Sequence, residues 1–158
     1  MGKGVTAALM QIAQVEPGMD VLDLASGEGD PVLTLAALVG EHGTVTATDV
    51  NPGPLAAAAV HARQSGISNI QFHVADAQQL PFEDAAFDRV TCRFGVMFFP
   101  DPLAARSCST GGVGIYRTTL FPGIPCTSAT VRWWPRSKFG GSEPVQIRGT
   151  WKSFGLPA

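Results

Sequence analysis

Two glycines and an acid twenty residues further on carry the first chemical signal. In VLDLASGEGD, residues 21–30, an apolar run leads straight into Gly27 and Gly29. A residue without a side chain lets the backbone approach a ligand closely. A second run, TVTATD at 44–49, ends in Asp49. A glycine turn after one strand and a carboxylate ending the next form a nucleoside-binding fingerprint.

The same residues narrow the nucleoside. A G-x-G-x-x-G pattern begun at Gly27 needs glycine at 32, where Val32 stands. Begun at residue 25 it fails at Ala25 and Asp30. Strand one also carries Asp23, just before the turn. A carboxylate beside an anionic pyrophosphate is unfavourable, whereas beside a cationic ligand it helps. Both facts argue against a nicotinamide dinucleotide. S-adenosylmethionine has an ammonium and a sulfonium, together with a ribose and an adenine.

These residues need elements to position them. Val5, Ala8, Leu9, Ile12 and Val15 fall at helical spacing, and Pro17-Gly18 ends that helix. Strand one follows at about 19–24. Asp30-Pro31 reads as an N-cap with proline at the first helical position, opening a helix through Leu33, Leu35, Ala36 and Leu38 to Gly40. Strand two is 44–49. Asn51-Pro52 repeats the capping device, and its helix ends at Ser65-Gly66. Strand three spans 70–74, a loop carries Leu80-Pro81-Phe82, and strand four lies near 87–94. Such alternation predicts a parallel sheet with helices on its faces. Crossovers of one hand then bring Gly27, Asp49, Asp76 and Arg93 to one edge of it.

With those residues in view, VLDLASGEGD, TATDVNPGPL, FHVADAQQLPFEDAAFD and VTCRFGVMFFPDP resemble the successive motifs of class I S-adenosylmethionine-dependent methyltransferases. The branch they are most similar to contains the ubiquinone/menaquinone biosynthesis methyltransferases. The resemblance covers about residues 5–105. It implies an α/β, Rossmann-like doubly wound, mainly parallel sheet of strand order 3-2-1-4, and S-adenosyl-L-methionine as cofactor. By position it implies that the turn Ala25, Ser26, Gly27 to Gly29 cradles the methionine part. Ala25 stands where the family usually has its first glycine. Asp23 holds the loop near the amino group, Asp49 accepts from the ribose hydroxyls and Val50 flanks the adenine. Asp76 and Ala77 meet the adenine amino group, and Arg93 with Phe94 stands where strand four meets the methyl-transfer site.

Plainer roles compete at several of these positions. Asp49 could simply end a strand, Asp76 could close an Asx turn and Asp23 could serve only to anchor the loop. Arg93 could be ion-paired rather than a ligand contact. Asp84 and Asp88 read as turn caps, His73 as packed within strand three, and His42 and His61 as surface residues. Phe94, Met97, Phe98 and Phe99 read as core or pocket wall. A sulfonium methyl is already activated, so transfer mainly needs an acceptor aligned at about 3 Å. No residue stands out as a general base, and the sequence names no catalytic side chain.

Composition divides the chain. Four basic and twelve acidic residues leave the first 101 residues at −8, while seven basic residues against Glu143 leave the last 57 at +6. Trp133, Trp134 and Trp151 all lie in the second part. The expected division is therefore a cofactor-binding half, 1–105, and a basic Gly/Pro/Trp-rich tail, 106–158. The tail reads as something other than the family's own ending, as a frame shift or gene fragment would produce. Within it VGIY and ATVRWW are candidate strands. Without a recognisable fifth strand, strand four is expected to lie exposed at the sheet's edge, with marginal stability and weak cofactor binding, unless the tail supplies a substitute strand.

The net charge of −2 argues against nucleic acid as the main partner, although the basic tail keeps an RNA- or lipid-binding reading in play. Cys92, Cys108 and Cys126 show no zinc-ligand spacing, which implies no metal. An odd cysteine count without a secretory leader fits a reducing cytoplasm. The partner expected is a small or lipophilic, quinone- or phenol-like methyl acceptor. A cofactor-binding module without catalysis is the alternative.

Overall fold

The computed structural model describes residues 6, 9, 10 and 13–99, and the strands 112–118, 128–135 and 145–150. Strand β1 is Asp20–Leu24, helix α1 Val32–Val39, β2 Thr44–Asp49, α2 Pro52–Gln64, β3 Ile70–Val74 and β4 Arg89–Arg93. A 3-10 turn, Gly95–Phe98, follows β4. Beyond it come β5 (Gly112–Thr118), β6 (Ser128–Pro135) and β7 (Val145–Thr150). The seven strands form one sheet of order β3-β2-β1-β4-β5-β6-β7. The first five run parallel, and the β5–β6 and β6–β7 pairs are antiparallel.

Alternation along β1 distributes the core. Val21 faces one side with Val45 and Ala47 of β2, covered by Val32, Leu35, Ala36 and Val39 of α1 and by Leu55 of α2. Thr6, Leu9, Met10 and Ala13 are helical and buried, and Leu9 and Met10 join the same cluster. Leu22 and Leu24 face the other side with Val90 and Cys92 of β4. There no crossover helix is present between β3 and β4. The loop supplies Leu80, Phe82 and Phe87 instead, with the Phe82 and Phe87 rings edge to face at 5.1 Å.

The helix ends show which local signals governed. Asn51 caps α2 as its sequence suggests, its Oδ1 accepting from Gly53 N–H at 3.0 Å, with Pro52 first in the helix. Asp30 does not cap α1. Pro31 occupies the N-cap position without a side-chain bond, and the Asp30 carboxylate turns to Thr6 and Arg93. A full positive charge and a hydroxyl offer that carboxylate more than two backbone amides. The buried stripe of α1 is accordingly Val32, Leu35, Ala36 and Val39, and Leu38 is exposed.

Two expectations about packing are corrected. β4 is not an edge: Val90 to Arg93 pair in parallel with Val113 to Tyr116 of β5, a strand that contains the VGIY run. The ATVRWW run lies in β6. His73 is exposed rather than packed, because β3 is the outer strand; its ring stands edge to face with Phe82, centroids 5.6 Å apart.

Leu22 is fully buried between the two central parallel neighbours of β1. Leu22→Ala is expected to lower stability by roughly 2–5 kcal/mol in urea unfolding. A loss below about 1 kcal/mol would mean that the loop 75–88 does not pack on this face as described.

Candidate functional site

The sheet order reverses at β1, which has β2 on one side and β4 on the other. In open parallel sheets ligands bind in the crevice outside the strand ends at such a switch point. Register brings the carboxyl ends level: Leu24 pairs with Thr48 and with Cys92, so Asp49 and Arg93 are the next residues of their strands beside Ala25.

The turn after β1 is held from two directions. Ser26 is buried, its N–H donating to Thr48 C=O at 2.9 Å and its hydroxyl to Asp23 C=O at 3.0 Å. Ser26 thus pins the turn from inside. Gly27 N–H donates to Asp49 Oδ2 at 2.9 Å, while Asn51 N–H donates to Asp49 Oδ1 at 2.9 Å. Each oxygen of Asp49 keeps a second lone pair for another donor. Gly27 has a φ of +53° and open space where a Cβ would lie. Gly29 has a φ of +106°, and a Cβ there would stand 3.1 Å from Ala58 Cβ, so its lack of a side chain lets α2 close on the turn.

Ala25 shapes the junction with β4. It adopts a left-handed φ of +53°, strained for a residue with a side chain. A Cβ at Gly95 would lie 2.3 Å from Ala25 Cβ. Alanine at 25 is therefore matched by glycine at 95, and the two loops meet backbone against side chain.

Asp23 lies beneath this junction, wholly buried. Its Oδ1 accepts from Thr91 Oγ1 at 2.6 Å, and its Oδ2 has no partner among the described residues. Burial raises its pKa from 3.8 to about 7, opposed by the Thr91 hydrogen bond and the Arg93 charge. Arg93 is 15% exposed and forms an ion pair with Asp30, which is 50% exposed. Arg93 Nη1 also donates to Thr6 Oγ1 at 2.9 Å. Arg93 is thus ion-paired within the chain.

The outer residues are arranged more loosely. Val50 is 71% exposed, and Val74 at the end of β3 is exposed beside it. Asp76 is exposed and closes an Asx turn, its Oδ1 accepting from Gln78 N–H at 2.8 Å. Ala77 leans on the Leu22 side of the core. Asp88 accepts from Asp20 N–H at 2.9 Å, at the far edge of the sheet. His61 is exposed on α2, and His42 is exposed in a turn.

Sequence reasoning missed Thr6 and Asp30 as members of this cluster. The signal available was weak: Thr6 lies outside the glycine-rich stretch, Asp30 closes it in a position that reads as a helix cap, and both meet Arg93 only through tertiary packing. They also line a cleft of about 610 Å³ beside the turn, with Leu33 and His61 on its other walls. Among the described residues no group of three His, Cys, Asp or Glu could hold a metal ion, and no helix is long and apolar enough to cross a membrane.

Two outcomes are expected from this geometry. Gly95→Ala should cost roughly 2–3 kcal/mol by overpacking, and Ala25→Gly in the same chain should return most of it. Additive losses in that double-mutant cycle would show that the two loops do not touch. Asp23 binds a proton more readily folded than unfolded, so its contribution to stability is complete below about pH 4 and is lost as pH rises through about 7. Relative to Asp23→Asn, the native chain should lose roughly 2–3 kcal/mol between about pH 5 and about pH 8. Parallel stability curves for the two proteins would contradict a buried, proton-binding Asp23.

Comparison with known proteins adds to this geometry. The model of the ubiE/COQ5 methyltransferase family matches residues 5–109. A ubiquinone/menaquinone biosynthesis C-methyltransferase of Shewanella frigidimarina is 39% identical over 97 residues, covering 61% of this chain and 39% of the relative. An uncharacterized protein of Mycobacterium tuberculosis is 41% identical over 130 residues, covering 78% of this chain and 46% of its own length. A match over 78% of the chain must run past residue 109, so likeness to known proteins does not stop near 105. The chain thus spans under half the length of these two curated relatives. Among solved structures, a SAM dependent methyltransferase from Aquifex aeolicus has a TM-score of 0.66 at 21% identity, covering 76% of this chain and 68% of that one. At that identity the match speaks for the fold.

Proposed function

The chain belongs to the ubiE/COQ5 methyltransferase family, and we propose that it binds S-adenosylmethionine at the carboxyl edge of β1, β2 and β4 and directs methyl transfer to a small, quinone- or phenol-like acceptor. One observation carries this reading: the Asp49 carboxylate receives the Gly27 amide, joining the glycine turn and the nucleoside-binding acid into a single frame.

The residues present fit the cofactor. The open side of Gly27 admits the methionine chain against bare backbone. The unpartnered, buried Oδ2 of Asp23 is an acceptor of the kind an ammonium group satisfies. Asp49 retains acceptor capacity for the ribose hydroxyls, and the exposed side chain of Val50 offers apolar surface to the adenine. Asp76 keeps a carboxylate oxygen for the adenine amino group, with Ala77 beside it.

The cofactor supplies a methyl group already activated on a sulfonium. The chain's contribution is alignment and exclusion of water, and proximity of this kind is worth roughly 7–11 kcal/mol. No side chain is assigned as a base. The relatives' name, a C-methyltransferase of ubiquinone and menaquinone biosynthesis, supports an aromatic ring carbon as the methylated atom. Residues 1–105 form the cofactor-binding half in this reading, and the basic tail 106–158 contributes β5, β6 and β7 to the same sheet.

Calorimetric titration of S-adenosylhomocysteine tests the proposal. Micromolar binding is expected, weakened at least about tenfold by Asp49→Ala, which loses charge-assisted hydrogen bonds worth roughly 1.5–3 kcal/mol. Methyl transfer to a panel of quinols and phenols would follow. Binding without turnover on that panel would favour the non-catalytic module, and a folded chain that binds nothing would overturn the reading.

A further inference from the structure

We infer that β5, β6 and β7 form a basic docking face at the carboxyl edge of the sheet, where Arg117, Arg132 and Arg148 occupy neighbouring positions, and that this face seats the chain on an anionic phospholipid membrane. The face itself follows from strand register. The choice of partner rests on the lipophilic acceptor proposed above.

Residues directly opposite in neighbouring strands share a face of the sheet, and so do residues two apart in one strand. Arg117 of β5 is opposite Thr130 of β6, which is opposite Arg148 of β7. The next row on that face is Ile115, Arg132 and Gln146. With strands about 4.8 Å apart and alternate residues about 7 Å apart along a strand, the three arginine positions form a triangle with sides of about 8–10 Å. The opposite face takes the apolar row Tyr116, Val131 and Ile147. The three strands are therefore amphipathic, with their charge gathered on one side.

The strands carry no counter-charge of their own. Each holds one arginine and no acid, and Glu143 is the only acid after Asp101 in the sequence. Arginine is almost never fully buried without a paired acid, so this face needs water or an external anion. Its place in the sheet is informative. Arg93 pairs with Tyr116, so Arg117 lies one residue beyond the level of Arg93, at the edge that also holds Ala25 and Asp49. A membrane docked there adjoins the proposed cofactor site.

Three observations favour a bilayer over another polyanion. Trp134 shares the face, two residues on from Arg132, and tryptophan settles at membrane–water interfaces. The first 101 residues carry −8, which opposes a nucleic acid wrapping the molecule, whereas a membrane meets one face only. A quinone-like acceptor dissolves in hydrocarbon, so a chain held at the bilayer meets it there.

Co-sedimentation of the full chain with vesicles tests the inference. Partition onto phosphatidylcholine vesicles containing about one third phosphatidylglycerol should exceed partition onto phosphatidylcholine alone roughly a hundredfold, since each arginine near an anionic surface contributes about 1 kcal/mol. Arg117→Gln, Arg132→Gln and Arg148→Gln should each reduce that preference about fivefold, and added salt should shrink it further. Arg63→Gln removes the same charge from an exposed position on α2 and should leave the preference unchanged. Equal partition onto both vesicles overturns the proposal. So does a loss in Arg63→Gln that matches the other three, because net charge would then be the cause. Binding of single-stranded RNA that the three strand variants weaken, without any vesicle preference, overturns it in favour of a nucleic-acid partner. Circular dichroism melts identify any variant that fails to fold, and the native chain on the two vesicles then decides with the remaining variants. The assay contains no cofactor, so its failure leaves the S-adenosylhomocysteine titration untouched, and a failed titration leaves the vesicle result standing.

Discussion

A single acid buried at the end of β1 organises the centre of this molecule. The Asp23 carbonyl accepts from Ser26 and Thr48, and its carboxyl from Thr91. One residue thereby ties together the glycine turn, β2 and β4, the three elements that meet at the switch point. An apolar residue there would pack more cheaply, since burying a carboxyl without a full set of partners is unfavourable. The position keeps its acid at that cost, and the cost shows as a raised pKa. Local destabilisation concentrated at one sheet edge is the usual mark of a binding site.

The two edges of the sheet differ in a way that follows from this. At the amino edge polar groups are matched within the chain. Asp20 accepts from Thr44 N–H, Asp88 from Asp20 N–H, and the Asn69 amide serves the carbonyls of Ala36, Gly40 and Gly43. At the carboxyl edge Asp23 and Arg93 each keep a buried atom without a partner among the described residues. Left-handed Ala25 and Phe94 lie there as well. The amino edge is finished by intramolecular bonds, and the carboxyl edge keeps polar atoms without partners among the described residues.

Much of this was legible in the sequence. β2 matches its expected span and β3 lies where it was expected, because each is a short β-prone run bounded by turn residues. Asn51-Pro52 was legible because its capping bond is made within three residues. Asp30-Pro31 has the same form and misled, because Arg93 arrives from 63 residues away and outbids the local amides. His73 misled because alternation within a strand cannot say which strand is outermost. The strands after residue 105 were legible only as apolar runs, since what makes them strands is the neighbour each one finds.

By itself the sequence determined the order of elements as far as β4, the glycine turn and the acid that ends β2, and with them the class of ligand. Those are set by periodicity, by caps and by residues whose backbone freedom is intrinsic. Tertiary structure alone decided that Ala25 requires Gly95, that Asp30 serves Arg93 rather than its own helix, and that the buried Asp23 carboxyl has a raised pKa. Each of these depends on groups distant in sequence being forced within a few ångströms in a medium from which water is excluded, and no local pattern encodes that distance.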